Sequence, residues 1–175
     1  MHYYYAEETL YEVGLSKTPA MDQLPSHDFD RLELLYACLR STKLFFETFL
    51  DIPPNKYPCI SLATWTQITH SILVLQSLSM FEHPDWDLAS VRREIDFMTV
   101  LDKFIERINK VEGQIYGRAA AKMASFKARL EEKMAADAAR RNSLIGGNAI
   151  LGSTWEPVDF LDEAWFGDFP GPMDF

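Results

Sequence analysis

Histidine, cysteine and acidic side chains are the groups in this chain that could support catalysis or metal binding. The four histidines, His2, His27, His70 and His83, lie far apart in the sequence. None of them belongs to a nucleophile, zinc, phosphate-loop or dinucleotide motif. We therefore expect His70, which lies within an apolar segment, to be a hydrogen-bonded histidine of the core or its edge. No catalytic residue, metal site or cofactor site is predicted, and the chain is not expected to be an enzyme.

Three further features have structural interpretations. Cys38 falls on an apolar helical stripe, which predicts a small buried hydrophobic residue. Asp85 and Asp87 are expected to form a turn and a helix cap, because neighbouring turn residues seldom point at one substrate atom. The glycine-containing residues 145–152 lack the Lys and Ser/Thr of a phosphate loop and are interpreted as a linker.

Aromatic and acidic side chains alternate in the last part of the chain. Residues 154–175 hold six aromatic and six acidic residues and no Lys or Arg. Asp159 can cap a short helix, but a helix below about 12–15 residues is marginal in water and should form on binding. We expect this segment to bind a coactivator or another protein in a groove. The predicted contact residues are Phe160, Leu161, Asp162, Trp165, Phe166 and Phe169.

An intramolecular role for the same segment is also open. Its aromatic side chains could dock on the chain's own helical body and close the core. Docking of this kind is compatible with autoinhibition, so the two interpretations do not exclude each other.

Charge and composition restrict the class of protein. The net charge is −9, with 47% apolar and 25% charged residues, as in soluble globular proteins. Residues 1–100 carry 7 basic and 14 acidic side chains, and residues 101–141 carry 10 basic and 6 acidic side chains. Residues 142–175 carry six acidic side chains and no basic one. This balance argues against direct nucleic-acid binding, and no apolar run is long enough for a membrane span. Two unpaired cysteines predict a reducing compartment.

Apolar residues recur at helical spacing along most of the chain, which predicts an all-α fold. We expect an irregular helical bundle of about five helices with a partly disordered acidic-aromatic C-terminal tail. The helices are predicted at 2–14, 29–50, 64–79, 88–112 and 118–141. The first helix has three side chains available for burial, Tyr4, Leu10 and Tyr11. The second has one continuous apolar stripe, formed by Phe29, Leu32, Leu35, Tyr36, Leu39, Phe46 and Phe49. Thr64 and Gln67 have capping-box spacing, and Pro53 should end the second helix. Residues 1–141 are predicted to form a helical regulatory-domain fragment, and residues 142–175 a linker and tail.

The last predicted helix could pack against a second copy of the chain or against the helical body of its own chain. Apolar residues at 98, 101, 105, 108, 115, 119, 126 and 130 approximate a heptad seam, which would suit a coiled-coil dimer. Glu112 falls on the seam and two glycines interrupt it, which favours packing onto the helical body.

Several short stretches resemble one known family in the same order. They are YYYAEETLYEVGL (3–15), LDIPP (50–54), TWTQITH (64–70), PDWD (84–87) and FLDEAWF (160–166). Together they resemble the regulatory region of fungal binuclear zinc cluster transcription factors. The resemblance implies the C-terminal part of a regulatory or effector region that acts in the nucleus. Zinc would belong to the family's six-cysteine DNA-binding module, which is absent from this chain.

This resemblance implies partners as well as a function. It implies recruitment of a coactivator through the tail and association as a homodimer or heterodimer, with no direct contact to nucleic acid or membrane. The alternative is a non-DNA-binding helical interaction protein that dimerises with or modulates a full-length relative.

Overall fold

The computed structural model of the chain describes residues 1–15, 25–81 and 83–144. Within these ranges the backbone forms six α-helices, two 3₁₀ helices and no strand, which confirms the all-α prediction. The α-helices are α1 (His2–Tyr11), α2 (Pro25–Leu50), α3 (Leu62–Met80), α4 (Leu88–Glu94), α5 (Phe97–Asn109) and α6 (Gln114–Leu144); the 3₁₀ helices are Glu12–Leu15 and Pro54–Cys59. Because the tail lies outside these ranges, the division at residue 141 stays a prediction.

Helix α3 is the central element of the core, as its apolar surface predicts. Its buried apolar side chains include Trp65, Ile68, Ile72, Leu75 and Leu78. The capping-box prediction for Thr64 and Gln67 was wrong, because the helix begins two residues earlier. The Ser61 hydroxyl accepts a hydrogen bond from the Thr64 amide at 3.3 Å and caps α3 instead.

Helix α2 ends at Leu50, before the Pro53-Pro54 pair, as predicted. The core-facing stripe is buried at four predicted positions, Leu35, Leu39, Phe46 and Phe49. Tyr36, by contrast, is 42% exposed although it was expected to join that stripe. Its ring packs against that of Trp86, with the two centroids 4.6 Å apart.

An aromatic cluster joins the middle helices. Phe49 of α2 stacks on Tyr57 at 5.3 Å and contacts Phe104 of α5 at 5.7 Å between ring centroids. Trp65 of α3 meets the Tyr57 ring edge-on at 6.0 Å. Aromatic pairs in these geometries add to the stability that burial alone provides. The 3₁₀ helix that carries Tyr57 is thereby fixed to the core.

The single helix predicted at 88–112 is two helices, α4 and α5. The break occurs because Asp96 caps α5: its carboxylate accepts hydrogen bonds from the Thr99 amide at 2.8 Å and the Thr99 hydroxyl at 2.6 Å. Ile95 before it is extended, with φ −152°. Asp87 caps α4 as predicted, accepting from the Ala89 amide at 2.9 Å.

Helix α6 packs onto the helical body, as favoured by the sequence. Gly113, at φ +128°, makes the turn from α5 to α6 with a backbone conformation that other residues rarely adopt. Ala119, Met123, Phe126 and Leu130 are then buried in the core. Residues of the predicted heptad seam therefore pack α6 against α5 within one chain.

Helix α1 buries different side chains from those that the sequence predicts. The apolar Leu10 was expected inside, but it is 68% exposed, as is Tyr3. The fully buried residue of this helix is an acid, Glu8. Gly14 lets the following 3₁₀ helix approach α2, since an added Cβ would lie 3.2 Å from the Leu34 Cβ.

Candidate functional site

The predicted partner-binding residues lie outside the described residues. They are Phe160, Leu161, Asp162, Trp165, Phe166 and Phe169, and the linker at residues 145–152 lies outside as well. Their role therefore stays a prediction. The described helices present two other arrangements of polar or aromatic side chains, one buried and one open to solvent.

The buried arrangement surrounds Glu8, between α1, α2 and α3. The Ser71 hydroxyl of α3 donates a hydrogen bond to Glu8 Oε2 at 2.7 Å. Burial, helped by the nearby charge of Glu12, raises the pKa of the Glu8 carboxyl to about 8, although the hydrogen bond from Ser71 acts to lower it. The carboxyl is therefore mostly protonated at neutral pH and can be buried without a paired cation.

Cys38 borders this carboxyl from α2. Its thiol donates a weak hydrogen bond to the Glu8 carbonyl oxygen at 3.7 Å and is fully buried. Burial, with the nearby Glu8 carboxyl, raises the pKa of Cys38 to about 12. A thiol with that pKa is not a nucleophile at neutral pH. The prediction of a small buried hydrophobic residue is confirmed.

His70 lies beside the same interface and is half-buried. Its Nε2 is 3.0 Å from Glu12 Oε2, and its ring meets the Tyr5 ring edge-on with centroids 5.5 Å apart. The prediction of a hydrogen-bonded edge histidine is confirmed, although the sequence did not indicate Glu12 as its partner. These contacts tie the end of α1 to α3.

The open arrangement is a groove at the turn between α3 and α4. Phe81, His83, Pro84, Trp86 and Leu88 line about 380 Å³ of open space. The Trp86 indole N–H donates to the Leu78 carbonyl oxygen at 3.1 Å, which fixes the ring in place. This groove was not predicted, because its members come from a turn with no apolar periodicity.

Charged groups border this groove. The Arg31 guanidinium lies 5.1 Å from the centroid of the Phe81 ring, within cation–π distance. Asp85 lies in the turn and Asp87 caps α4, so both acids have the roles predicted for them. The groove is therefore an aromatic surface with Arg31 over its Phe81 ring and two exposed acids in its turn.

Within residues 1–15, 25–81 and 83–144, no three His, Cys, Asp or Glu residues are placed to hold a metal ion. In the same part of the chain, no helix combines the length and apolar character needed to cross a bilayer. Cys59 is exposed and Cys38 is buried, both as free thiols.

One family model matches both the helical body and the tail of the chain. The family model described as the ATEG07667_C C-terminal domain matches residues 54–173, so the match includes α3 to α6 and the predicted contact residues of the tail. The chain is 34% identical over 110 residues to transcription factor opdL of Penicillium oxalicum, covering 63% of this chain and 19% of that protein. It is 27% identical over 81 residues to a transcription factor of Aspergillus terreus, covering 46% of this chain and 14% of that protein.

These matches cover only a small part of each relative. The chain spans about a fifth or less of the length of these two proteins. No solved structure matches the chain. The family match nevertheless covers well over half of this sequence, from the 3₁₀ helix at Pro54 almost to the last residue. The chain therefore belongs to the ATEG07667_C C-terminal domain family, and it is similar to two fungal transcription factors.

Proposed function

We propose that this chain is the regulatory or effector region of a fungal transcription factor and that its tail recruits a coactivator in the nucleus. The observation that carries the proposal is the family match over residues 54–173, which joins the helical body and the acidic-aromatic tail in one domain family. The relatives named as transcription factors support the same role.

The tail has the chemistry of a segment that folds on binding. Asp159 can cap a short helix, and Asp162 and Glu163 fall in its first turn, where negative charge is favourable. One side of that helix would carry Phe160 and Trp165 as apolar anchors for a partner groove. The acids between the aromatic residues keep the unbound segment hydrated.

The helical body has a separate role in this proposal. It presents the tail, while DNA contact and zinc binding belong to a six-cysteine module, since this chain holds only Cys38 and Cys59. The net charge of −9 is unfavourable for direct contact with phosphates. We propose no enzymatic activity, cofactor or membrane contact for this region.

Activation of a reporter gene tests the proposal. The full chain is fused to an unrelated DNA-binding domain, and we expect activation that the double variant Phe160→Ala/Trp165→Ala reduces roughly tenfold or more, as loss of two aromatic anchors predicts. Trp155→Ala is the matched control, because Trp155 lies in the same tail outside the predicted contact residues. A silent wild-type fusion with normal expression would refute the proposal.

One observation favours the alternative of a helical interaction protein that dimerises with or modulates a full-length relative. Helix α1 and the following turn expose Tyr3, Leu10 and Val13 at 68%, 68% and 51%. Exposed apolar residues at this spacing form a surface that suits a protein partner. If the alternative holds, Leu10→Asp should abolish the binding of this chain to a full-length relative in a pull-down experiment. Unchanged binding would count against the alternative.

A further inference from the structure

Helix α1 buries only one side chain completely, and that side chain is an acid. Glu8 is 0% exposed, whereas the aromatic side chains with which α1 packs on the core, Tyr4, Tyr5 and Tyr11, are only partly buried. Burial of apolar surface is the main favourable term when a helix packs on a protein body. Because α1 buries little of it, the attachment of this helix depends on how well Glu8 is accommodated.

The pocket around Glu8 suits a neutral carboxyl and not a carboxylate. The Ser71 hydroxyl of α3 donates to Glu8 Oε2 at 2.7 Å, while Oε1 is buried without a hydrogen-bond partner among the described residues. The Thr42 hydroxyl of α2 borders the pocket but donates to the Cys38 carbonyl oxygen at 2.9 Å. A single neutral donor of this kind does not offset the cost of burying a negative charge. Loss of the proton therefore weakens the contact between α1 and the body.

The titratable groups around Glu8 do not supply a compensating cation. Cys38 faces it from α2, with its thiol 3.7 Å from the Glu8 carbonyl oxygen. Glu12, on the following 3₁₀ helix, is an acid whose charge opposes ionisation of Glu8. From α3, His70 directs its Nε2 to Glu12 Oε2 at 3.0 Å, and Glu7 of α1 accepts from a hydroxyl of α2 at 3.4 Å. An ionised Glu8 would therefore be buried without a paired cation.

The other contacts of α1 and its 3₁₀ helix lie toward the surface. The His2 ring shares an exposed hydrogen bond of 2.8 Å with the Gln67 side chain, and the Arg31 guanidinium donates to the Gly14 carbonyl oxygen at 2.8 Å. Helix α1 has 10 residues, fewer than the about 12–15 that an isolated helix needs in water. The aromatic cluster of the middle helices contains no residue of α1. Displacement of α1 can therefore be a local event that leaves the rest of the core in place.

We propose that α1 is a releasable cover of the helical body, held closed by the neutral carboxyl of Glu8 and opened when that carboxyl loses its proton. Opening uncovers the Cys38 and Phe45 side chains of α2 and the Ser71 hydroxyl of α3, all of which are buried in the closed state. Access to this face of the body then depends on pH. The inference goes beyond the proposed function and is independent of it, since recruitment through the tail requires no movement of α1.

Alkylation of the two described cysteines in the full chain measures this opening. The Cys38 thiol is buried against α1 and reacts only when the structure around it opens, whereas Cys59 is exposed and reports the reactivity of an open thiol at each pH. The chain is treated with dilute iodoacetamide, and mass spectrometry gives the ratio of the Cys38 rate to the Cys59 rate. The pKa of Glu8 is about 8 in the closed state, above the ordinary value of 4.5, so rising pH favours the open state.

We expect the rate ratio to increase roughly tenfold or more between pH 6 and 8.5, as this difference in proton affinity requires. A ratio that stays constant or falls, or a Cys38 thiol that is not alkylated across the range, would overturn the proposal.

Two variants assign the pH dependence to one group. Glu8→Gln keeps the shape of the side chain but cannot ionise, so its rate ratio should stay within about twofold from pH 6 to 8.5. His70→Gln removes the pair with Glu12 and should retain the rise with pH. A rise that survives Glu8→Gln, or one that disappears in His70→Gln, would show that another group controls the opening.

A third variant separates local opening from global unfolding. Asp96→Ala removes the cap of α5, which is distant in sequence from α1, and should leave the rate ratio unchanged at pH 8.5. Loss of a cap would raise the ratio by roughly fivefold if Cys38 reacted only through unfolding of the whole chain. A rise of that size would therefore contradict a releasable α1.

Discussion

The carboxyl group of Glu8 shows how tertiary contacts decide the state of a single residue. Its hydrogen-bond donor, Ser71, lies 63 residues away in the sequence, and Cys38 and Thr42 of α2 border the same site. Neither the spacing of apolar residues nor the composition of α1 indicates that this acid is inside. The exposed Leu10 and the buried Glu8 are therefore the clearest failure of pattern-based prediction in this chain.

The raised pKa of Glu8 predicts a pH dependence of stability. Because the folded state holds the proton up to a pKa of about 8, above the ordinary value of 4.5, its stabilising contribution is complete below pH 4.5 and is lost as pH rises through 8. Glu8→Gln should remove this dependence and raise the free energy of unfolding at pH 8 by a few kcal/mol, because the amide cannot ionise.

Chemical denaturation at pH 5, 6.5 and 8 checks this prediction. Glu33→Gln is the control, since Glu33 is exposed on α2 and should leave the pH profile of unfolding unchanged. A Glu8→Gln profile that is parallel to wild type would show that the buried carboxyl is not the group that titrates.

At the scale of helices, apolar periodicity predicted the type of the elements better than their number. Helix α2 ends where Pro53-Pro54 predicts, and α3 is central because most of its surface is apolar. The break between α4 and α5 was missed because Ile95 and Phe97 are both buried and continue the apolar pattern across it. The extended backbone of Ile95 and the hydrogen bonds of Asp96 show that the helix restarts.

Removing the Asp96 cap should destabilise the fold. Asp96→Ala deletes the acceptor for the Thr99 amide and hydroxyl at the start of α5, so we expect the free energy of unfolding to fall by about 1 kcal/mol. Thermal or urea unfolding measures this change. Asp85→Ala, in the preceding exposed turn, should change stability by less than about 0.5 kcal/mol. Equal losses for both variants would contradict the role of Asp96.

At the scale of the whole molecule, the chain combines an all-α body with a tail of different composition. The body could be predicted as a helical bundle because its core residues recur at helical spacing, and α6 packs on it through Ala119, Met123 and Phe126. The groove at Phe81 to Leu88 could not be predicted, because it arises where a turn meets two helices. The family match spans both body and tail, which supports a function that needs both.

Separate fusions of the two regions test the central proposal most directly. Residues 142–175 and residues 1–141 are each joined to the same unrelated DNA-binding domain, and reporter activity is measured at matched expression. Residues 142–175 alone should activate the reporter, because they contain all the predicted partner-binding residues, and residues 1–141 should be silent. Activity carried by residues 1–141, with residues 142–175 silent, would contradict recruitment through the tail.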